Sequence, residues 1–410
     1  MRSDGVGCPT VDDALLARYA KLIVEFGANI QPGQSVLMIG APTAAPLFRA
    51  VAAAAYARGA RFFDPWYFDP VVKRIRAERA PEDSLEFVPS WYGERLKRLG
   101  EGHGARISVA PNTPPGLMNG VDATRAGRDQ LPALQEHYDV INDKTTNWCV
   151  VPWATADWAR VVYPELDDDA ALAKLWEQLV YVLRLDADDA AAAWRTRIDQ
   201  IHEAAKKLDD AALDALHFEG PGTDLTVGLL PTSHFANDEP GTTTVDGINH
   251  NPNLPTEEVF TTPDPHRVEG VVSATKPLDL SGTVVNGLRV RFEDGRAVQV
   301  DAEEGADALR ARIARDDGAS RLGEVALVDR EGRIGKTNTV FFNTLLDENA
   351  ASHLAFGNAY AVGVGPEDVS RINASSIHLD FMIGSNDVSV TGIRRDGGTV
   401  PVLHDGSWQV

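Results

Sequence analysis

The sequence predicts two domains of different fold class: an α/β N-terminal domain, with a parallel sheet flanked by helices, and a mixed, mainly antiparallel α+β C-terminal domain. Two observations support this division. A chain of 410 residues exceeds what one hydrophobic core usually organises. Strands also alternate with helices in the first half, whereas short strands and turns follow one another in the second. We place the boundary between residues 215 and 216.

The first half begins with helices and buried strands in alternation. Apolar residues recur at helical spacing over residues 11–30, and a Pro-Gly-Gln turn then leads into a predicted strand at 35–40. An alanine-rich helix is predicted from 45 to about 58, because Gly59 is a residue typical of helix C-termini. Three further strands, expected to pair in parallel with the first, are predicted at 61–68, 106–111 and 148–153.

The second half changes character after a helical stretch. Residues 168–216 have a helical pattern with acidic and alanine-rich faces, which we interpret as the tail of the first domain or a connector. Beyond Gly220 one helix is predicted, at 306–314, and the turn at 293–295 predicts a hairpin. The predicted strands lie within residues 222–229, 281–300, 323–329, 338–345 and 375–384.

The net charge of −21 limits the classes of partner. Nucleic acids and anionic membrane surfaces both require clustered Lys and Arg, so neither is an expected partner. No apolar run reaches the length needed to cross a bilayer. Many acidic residues lie in stretches typical of solvated helix faces and turns, such as residues 186–193 and 301–307.

The N-terminus and the cysteines favour a cytoplasmic location. The first 13 residues contain neither the basic region nor the apolar core of a signal peptide. Two cysteines, Cys8 and Cys149, cannot supply a disulfide framework, which is typical of a reducing compartment. We therefore expect the protein to be cytoplasmic.

The N-terminal domain lacks a phosphate-binding loop. The predicted strand at 35–40 is followed by APTAAP, whereas phosphate binding would require GxGxxG or GxxxxGK[ST] at this place. A nucleotide cofactor is therefore not expected, and the chemistry is sought in the second half.

Histidines and carboxylates concentrate in short runs of the second half. These runs are PTEEVF at 255–260, DENAASH at 347–353 and HLD at 378–380. Imidazole with carboxylate is the ligand set of zinc, cobalt and manganese hydrolase sites, whereas structural zinc sites favour cysteine. The runs therefore predict a hydrolytic metal centre in the C-terminal domain.

Two of the runs also have a purely structural interpretation. His378 and Asp380 are two apart on a predicted strand and would project from the same face, but an exposed edge strand would show the same pair. Glu348 and His353 are five apart, so they share a site only if the segment bends or if one of them acts without contacting the metal. A helix-capping role for Asp347 or Asn349 is the alternative.

The glutamates outside these two runs are ambiguous in the same way. Glu257 and Glu258 are adjacent on an extended segment and face opposite ways, so one of them is expected to reach the centre. Glu324 begins a predicted strand, where a glutamate often faces solvent.

Several long strings resemble the metallo-aminopeptidase family of aminopeptidase T and aminopeptidase S. The similarity runs along nearly the whole chain and is strongest from about residue 217 to 387. It is carried by NLPTEEVFTTPDPHRVEGVVSATKPL (253–278), FEDGRAVQVDAEEG (292–305), FFNTLLDENAASHLAFGNAY (341–360) and SSIHLDFMIG (375–384), with GTDLTVGL (222–229).

This resemblance implies a role for each matched residue. Glu324 matches a glutamate that can bridge two metals, and Tyr360 matches a tyrosine that faces them; both are candidate catalytic residues. Glu257 occupies a position that varies in the family, so Glu257→Gln is expected to be nearly silent. The implied metal ligands are Glu258, Glu324, Glu348, His353, His378 and Asp380.

These ligands imply a two-metal hydrolase. Four carboxylates and two imidazoles exceed the needs of one tetrahedral zinc, so we expect two divalent ions (zinc, cobalt or manganese) that activate a shared water. The resemblance further implies peptide substrates, release of N-terminal amino acids with broad specificity, and a homodimer. A dinuclear hydrolase of non-peptide amides or esters is the alternative, and a metal-binding protein without activity is a third.

Overall fold

The computed structural model describes residues 12–410 except 112, 130, 132–133, 236–241 and 281. The predictions made on residues 1–11, including Cys8 and the beginning of the first helix, lie outside the described residues. Among the helices that are described, none combines the length and apolar character of a membrane span.

The first half is an α/β layer structure, as predicted. Its strands are β1 (Ser35–Gly40), β2 (Phe62–Tyr67), β3 (Ala105–Ala110) and β4 (Asn147–Pro152). All pair in parallel, in the order β2-β1-β3-β4. Its helices are α1 (Asp13–Leu22), α2 (Ala45–Ala57), α3 (Pro70–Arg79), α4 (Ser90–Glu101), α5 (Ala123–Arg128), α6 (Gln135–Asn142), α7 (Ala156–Val162), α8 (Asp168–Val182) and α9 (Ala190–Asp210).

Helices cover both faces of this sheet because alternate residues of β1 point to opposite sides. Val36 and Met38 enter a large core with α1 and α2. Leu37 and Ile39 enter a smaller core with α4. Because β1 is buried on both faces, its sequence is a continuous apolar run and not an alternation of apolar and polar residues.

The second half is mainly antiparallel and contains three helices in the described residues. The helices are α10 (Ala306–Ile313), α11 (Arg333–Thr337) and α12 (Thr344–Asp347). The strands are β5 (Leu213–Gly220), β6 (Thr223–Leu229), β7 (Thr242–Thr243), β8 (Asn249–His250), β9 (Glu258–Thr261), β10 (Pro263–Ser273), β11 (Leu278–Leu280), β12 (Thr283–Val285), β13 (Arg289–Glu293), β14 (Arg296–Asp301), β15 (Leu322–Val328), β16 (His353–Gly357), β17 (His378–Met382), β18 (Ser389–Arg394), β19 (Thr399–His404) and β20 (Ser407–Trp408).

Two antiparallel sheets pack face to face in this half. The larger has the order β14-β13-β10-β6-β5-β18-β19-β20 and the smaller has the order β17-β16-β15-β9. Their shared core includes a run of stacked rings: Phe356 lies 5.8 Å from Phe292 of the large sheet and 5.0 Å from Phe381. The predicted hairpin joins β13 to β14, where Asp294 and Gly295 both have positive φ.

The strand predicted at 338–345 is wrong. Residues 338–343 form a turn and an irregular loop, and α12 begins at Thr344. Asn338 and Phe342 have left-handed φ values of 48° and 51°, which an extended strand excludes. The run is apolar for another reason, because Phe341 is fully buried in the core of the first half.

The helix α9 links the two halves. Its residues up to Ile198 belong to the core of the first half, and its residues from Ile201 onward belong to the core of the second. The domain boundary at 215/216 stays a prediction, and α9 is the connector that the acidic, alanine-rich pattern suggested.

Candidate metal centre

Five of the six predicted ligands lie on the smaller antiparallel sheet. Each of its four strands contributes at least one, and the strands are adjacent, so side chains far apart in sequence share one surface. The five ligands are Glu258 on β9, Glu324 on β15, His353 on β16, and His378 with Asp380 on β17.

Strand alternation explains why these ligands face the same way. On β17, His378 and Asp380 point to one side, while Leu379 and Phe381 pack into the core between the sheets. The same holds on β15, where Val325 enters that core. β17 is an edge strand of the small sheet, but the side chains of His378 and Asp380 are only 12% and 10% exposed, so the interpretation as a solvent-exposed pair does not hold.

The register of the sheet sets the spacing and leaves room at the centre. Ala355 lies opposite Glu324 on one side and Asp380 on the other. Ala326 lies opposite His353. Small residues between the ligands leave space above the sheet, which larger side chains would fill.

The ligand atoms form two groups that share one residue. Glu258, Glu324 and His353 make the first group, and Glu324, His378 and Asp380 make the second; in each, the ligand atoms lie within 4.8 Å of one another. Nε2 of His353 is 3.0 Å from Oε2 of Glu258 and 3.4 Å from Oε1 of Glu324. Nε2 of His378 is 3.2 Å from Oδ1 of Asp380 and 3.8 Å from the other Glu324 oxygen.

Backbone carbonyls orient both imidazoles. Nδ1 of His353 is 3.2 Å from the carbonyl oxygen of Ala351, and Nδ1 of His378 is 2.8 Å from that of Asn358. Because a carbonyl oxygen can only accept, each Nδ1 carries hydrogen and donates it. In a neutral ring Nε2 is then the free ligand atom, and it points at the carboxylates.

The electrostatics of the cluster reflect crowded, buried carboxylates. Burial raises the pKa of Glu324, and the charges of Glu258 and Asp380 raise it further, against the effect of the imidazoles. Burial alone would lower the pKa of both histidines, but carboxylates outweigh it: the pKa of His353 lies well above its usual value, and that of His378 rises to about 9. For Asp380, burial is outweighed by His378, and its pKa falls.

This donor set fits divalent metal. The raised pKa values of the two imidazoles indicate that the buried carboxylates attract positive charge, which a divalent cation would supply in place of protons. Oxygen and nitrogen donors without sulfur suit zinc, cobalt or manganese.

Glu348 and Tyr360 lie beside the two groups. Glu348 belongs to neither; Asn253 donates to its carboxylate at 3.3 Å, and burial, Asp380 and Glu258 raise its pKa well above normal. It reaches the site because the DENAASH segment bends, with a 3₁₀ turn at Glu348–Ala350 before β16. The half-buried ring of Tyr360 lies 5.0 Å from that of His378.

Glu257 faces away from the metal centre, as the alternation predicted. It is 1% exposed, and its carboxylate is 3.0 Å from Arg184 and also pairs with Arg197. Its backbone N–H donates to Asn349 at 2.6 Å. The expectation that Glu257→Gln would be nearly silent stays a prediction for activity. For stability we expect a cost, because the change removes the carboxylate that pairs with Arg184 and leaves Arg197 with its longer contact to Asp329, at 3.6 Å.

Sequence reasoning missed the groups that support these ligands. Asn253, which donates to Glu348, and Asn358, whose carbonyl orients His378, were not singled out. Neither has a distinguishing sequence signal, because asparagines are common in loops and their partners are distant along the chain. His250 is buried, and its ring lies 6.2 Å from that of Trp148.

The fold and the site together define a class: a protein with an α/β half and a mainly antiparallel β half, and with a buried carboxylate–imidazole centre of the metallohydrolase type. Comparison with known proteins makes this specific. A family model described as thermophilic metalloprotease (M29) matches residues 12–408. The chain belongs to this family, which confirms the resemblance inferred from the sequence.

Curated relatives and a solved structure agree with this assignment. Aminopeptidase T from Thermus aquaticus is 41% identical over 404 residues, which cover 96% of this chain and 98% of that protein. Aminopeptidase 2 from Geobacillus stearothermophilus is 37% identical over 405 residues, covering 96% and 97%. The structure of wild-type AmpT from Thermus thermophilus superposes with a TM-score of 0.86 at 40% identity, covering 98% of this chain and 100% of that one.

Proposed function

We propose that the protein is a metal-dependent aminopeptidase that uses two divalent ions to release N-terminal amino acids from peptides, with broad specificity. The observation that carries the two-ion proposal is the pair of ligand groups sharing Glu324. Membership of a metalloprotease family and the aminopeptidase relatives support the reaction class.

We assign metal binding to the residues of the two groups. Two bound divalent ions would supply a water acidic enough to react near neutral pH and would polarise the substrate carbonyl. Glu324 would be a ligand in both groups, and the backbone carbonyls fix the imidazoles so that little conformational freedom would be lost on binding.

Glu348 and Tyr360 are assigned to the substrate side of the centre. Glu348 was predicted as a ligand, but it lies outside both groups and lines the adjacent cavity with His378 and Asp380. A carboxylate in that position is suited to move a proton between water and the leaving amine, so we propose it as the general base in preference to Glu324. Tyr360 is proposed to donate its hydroxyl hydrogen to the developing oxyanion.

Leucine-p-nitroanilide hydrolysis by chelator-stripped protein tests the function. Cobalt and zinc are added in separate titrations while bound metal is measured by elemental analysis. Activity that returns as two ions bind per chain is the expected result. Activity complete at one ion per chain would contradict the two-ion proposal, and two bound ions without hydrolysis would contradict the aminopeptidase proposal.

N-acetyl-leucine-p-nitroanilide is the matched control substrate. An aminopeptidase requires the free α-amino group, so acetylation is expected to abolish turnover. Equal rates on both substrates would instead identify a hydrolase of amides or esters in general.

The choice among zinc, cobalt and manganese, the homodimer and the cytoplasmic location stay predictions. Light scattering of the metal-loaded protein tests the dimer: a mass near that of one chain, 44.3 kDa, would contradict it.

A further inference from the structure

A cavity of about 370 Å³ opens beside the metal centre and is bounded by both halves of the chain. The second half contributes Glu348, His378 and Asp380 to its lining. The first half contributes Lys73 from α3 and Val150 from β4. A cavity of this size is at the lower end of the range for small-molecule sites, roughly 300–1,000 Å³, and suits a ligand of a few residues.

Lys73 is an unusual side chain for such a place. It is 7% exposed, and its ammonium group donates to the carbonyl oxygen of Leu131. Within the described residues, no carboxylate lies at ion-pair distance from it. The nearby Asp129 is engaged elsewhere, because it pairs with Arg76 at 3.3 Å and accepts from the backbone of Leu131.

Burying an ammonium without an anionic partner is costly, so its retention in a cavity indicates a ligand. Burial lowers the pKa of Lys73 to about 8, against the attraction of Asp129, so the group is still mostly charged at neutral pH. Asp279 also lines the cavity, but its carboxylate accepts from the backbone of Gly282 at 3.1 Å and makes no ion pair with Lys73.

The lining therefore contains groups of opposite charge from the two halves of the chain. The carboxylates of the lining, those of Glu348, Asp380 and Asp279, come from the second half, and Lys73, which has a carbonyl but no carboxylate as its partner, comes from the first. A free peptide has the complementary pattern, an ammonium group at one end and a carboxylate at the other.

We propose that Lys73 binds the C-terminal carboxylate of short peptides, and that the N-terminal half thereby selects substrates with a free C-terminus. This rests on the proposed function, since the peptide must present its N-terminus to the metal centre. Lys73 is then a specificity-determining residue contributed by the first half of the chain.

The test compares Leu-Gly-Gly with its C-terminal amide, using metal-loaded wild type, Lys73→Met and Lys73→Arg. The wild type is expected to have the higher kcat/KM on the free acid. In Lys73→Met the ratio of kcat/KM on the free acid to kcat/KM on the amide should fall by on the order of tenfold. This is the loss typical of one buried charge-assisted contact. Lys73→Arg retains the positive charge and should retain part of the preference.

The matched control is Lys206→Met, a change at an exposed lysine on α9, which should keep the wild-type ratio. A ratio unchanged in Lys73→Met would overturn the proposal. So would equal kcat/KM of the wild type on acid and amide, a result that does not depend on how well any variant folds.

Failure of the proposed function looks different. In that case the loaded wild type hydrolyses neither peptide, whereas failure of the Lys73 proposal leaves hydrolysis intact and removes only the discrimination between them.

Discussion

Glu324 is the single side chain that belongs to both ligand groups, and its two oxygens face different histidines. Glu324→Gln keeps the size of the side chain but removes its charge. We expect activity to fall by on the order of 100-fold or more, because both ions lose a charged ligand. Metal content per chain, measured with leucine-p-nitroanilide activity, should fall in parallel.

Glu331→Gln is the matched control, since that side chain is 60% exposed and lies near the same strand. It should keep wild-type activity and metal content. Full metal binding in Glu324→Gln would contradict the bridging role and would mean that Glu324 acts without contacting the metal.

The ring of Tyr360 lies 5.0 Å from that of His378. Tyr360→Phe keeps the ring and removes the hydroxyl. If the hydroxyl stabilises the oxyanion, kcat should fall by roughly 10²-fold to 10³-fold while KM and metal content remain near wild type. Loss of an ion in Tyr360→Phe would instead identify the tyrosine as a metal ligand.

The residues of the metal centre could be predicted from the sequence where their spacing matches the period of a strand. His378 and Asp380 follow from the two-residue period of a strand, and Glu257 and Glu258 separate for the same reason. Nothing local indicates that Glu324 faces the centre, because that depends on its register opposite Ala355. The family resemblance supplied what local pattern could not.

At the scale of elements, β9 is held by a buried ion-pair network behind the metal centre. Glu257 pairs there with Arg184 from the α8–α9 connection and with Arg197 from α9. Glu257→Gln is expected to lower the free energy of unfolding by roughly 3–5 kcal/mol, as breaking a buried pair does. Urea denaturation followed by circular dichroism measures this change.

Glu293→Gln provides the comparison, since its ion pair with Arg291 is about half exposed and should be worth at most about 1 kcal/mol. Equal midpoints for the two variants would mean that the buried network contributes no more than a surface pair.

The short strand β8 carries His250, which is 1% exposed. Burial lowers its pKa from the model-peptide value of 6.5 to about 4. Between these values the unfolded chain binds more protons than the folded one, so stability is full above pH 6.5 and falls as pH drops toward 4. His250→Gln should weaken this dependence of the urea midpoint, relative to wild type, over that interval.

His404→Gln is the control for this titration, because His404 is 65% exposed. It should leave the pH dependence unchanged. A dependence identical in wild type and His250→Gln would contradict a buried, neutral histidine.

Elements were predicted well where one physical signal dominated. The parallel strands are continuous apolar runs, and the helix before Gly59 ends where glycine permits. Residues 338–345 failed because an apolar run is ambiguous: Phe341 is buried as part of a loop, which the two positive φ values allow. The pairing order of β17-β16-β15-β9 could not be read from periodicity, since it connects strands from opposite ends of the second half.

At the scale of the whole molecule, the two halves depend on each other. The first core contains apolar residues from the second half, namely Leu254, Ile334, Phe341 and Leu346. A fragment of residues 216–410 would expose them and would also lose the part of α9 that packs in the second core. We expect this fragment to lack cooperative thermal unfolding, as measured by near-UV circular dichroism. A sharp transition in the fragment would show that the second half folds alone.

The helix α9 has a consequence for how substrates are chosen. Since Ile198 and Ile201 are less than one turn apart yet anchored in different cores, the helix leaves little room for a hinge between the halves. If Lys73 binds the peptide C-terminus as proposed, its distance from the metal ligands is set by the fold and does not change when the peptide binds. The fold would then select peptides by their length before hydrolysis begins.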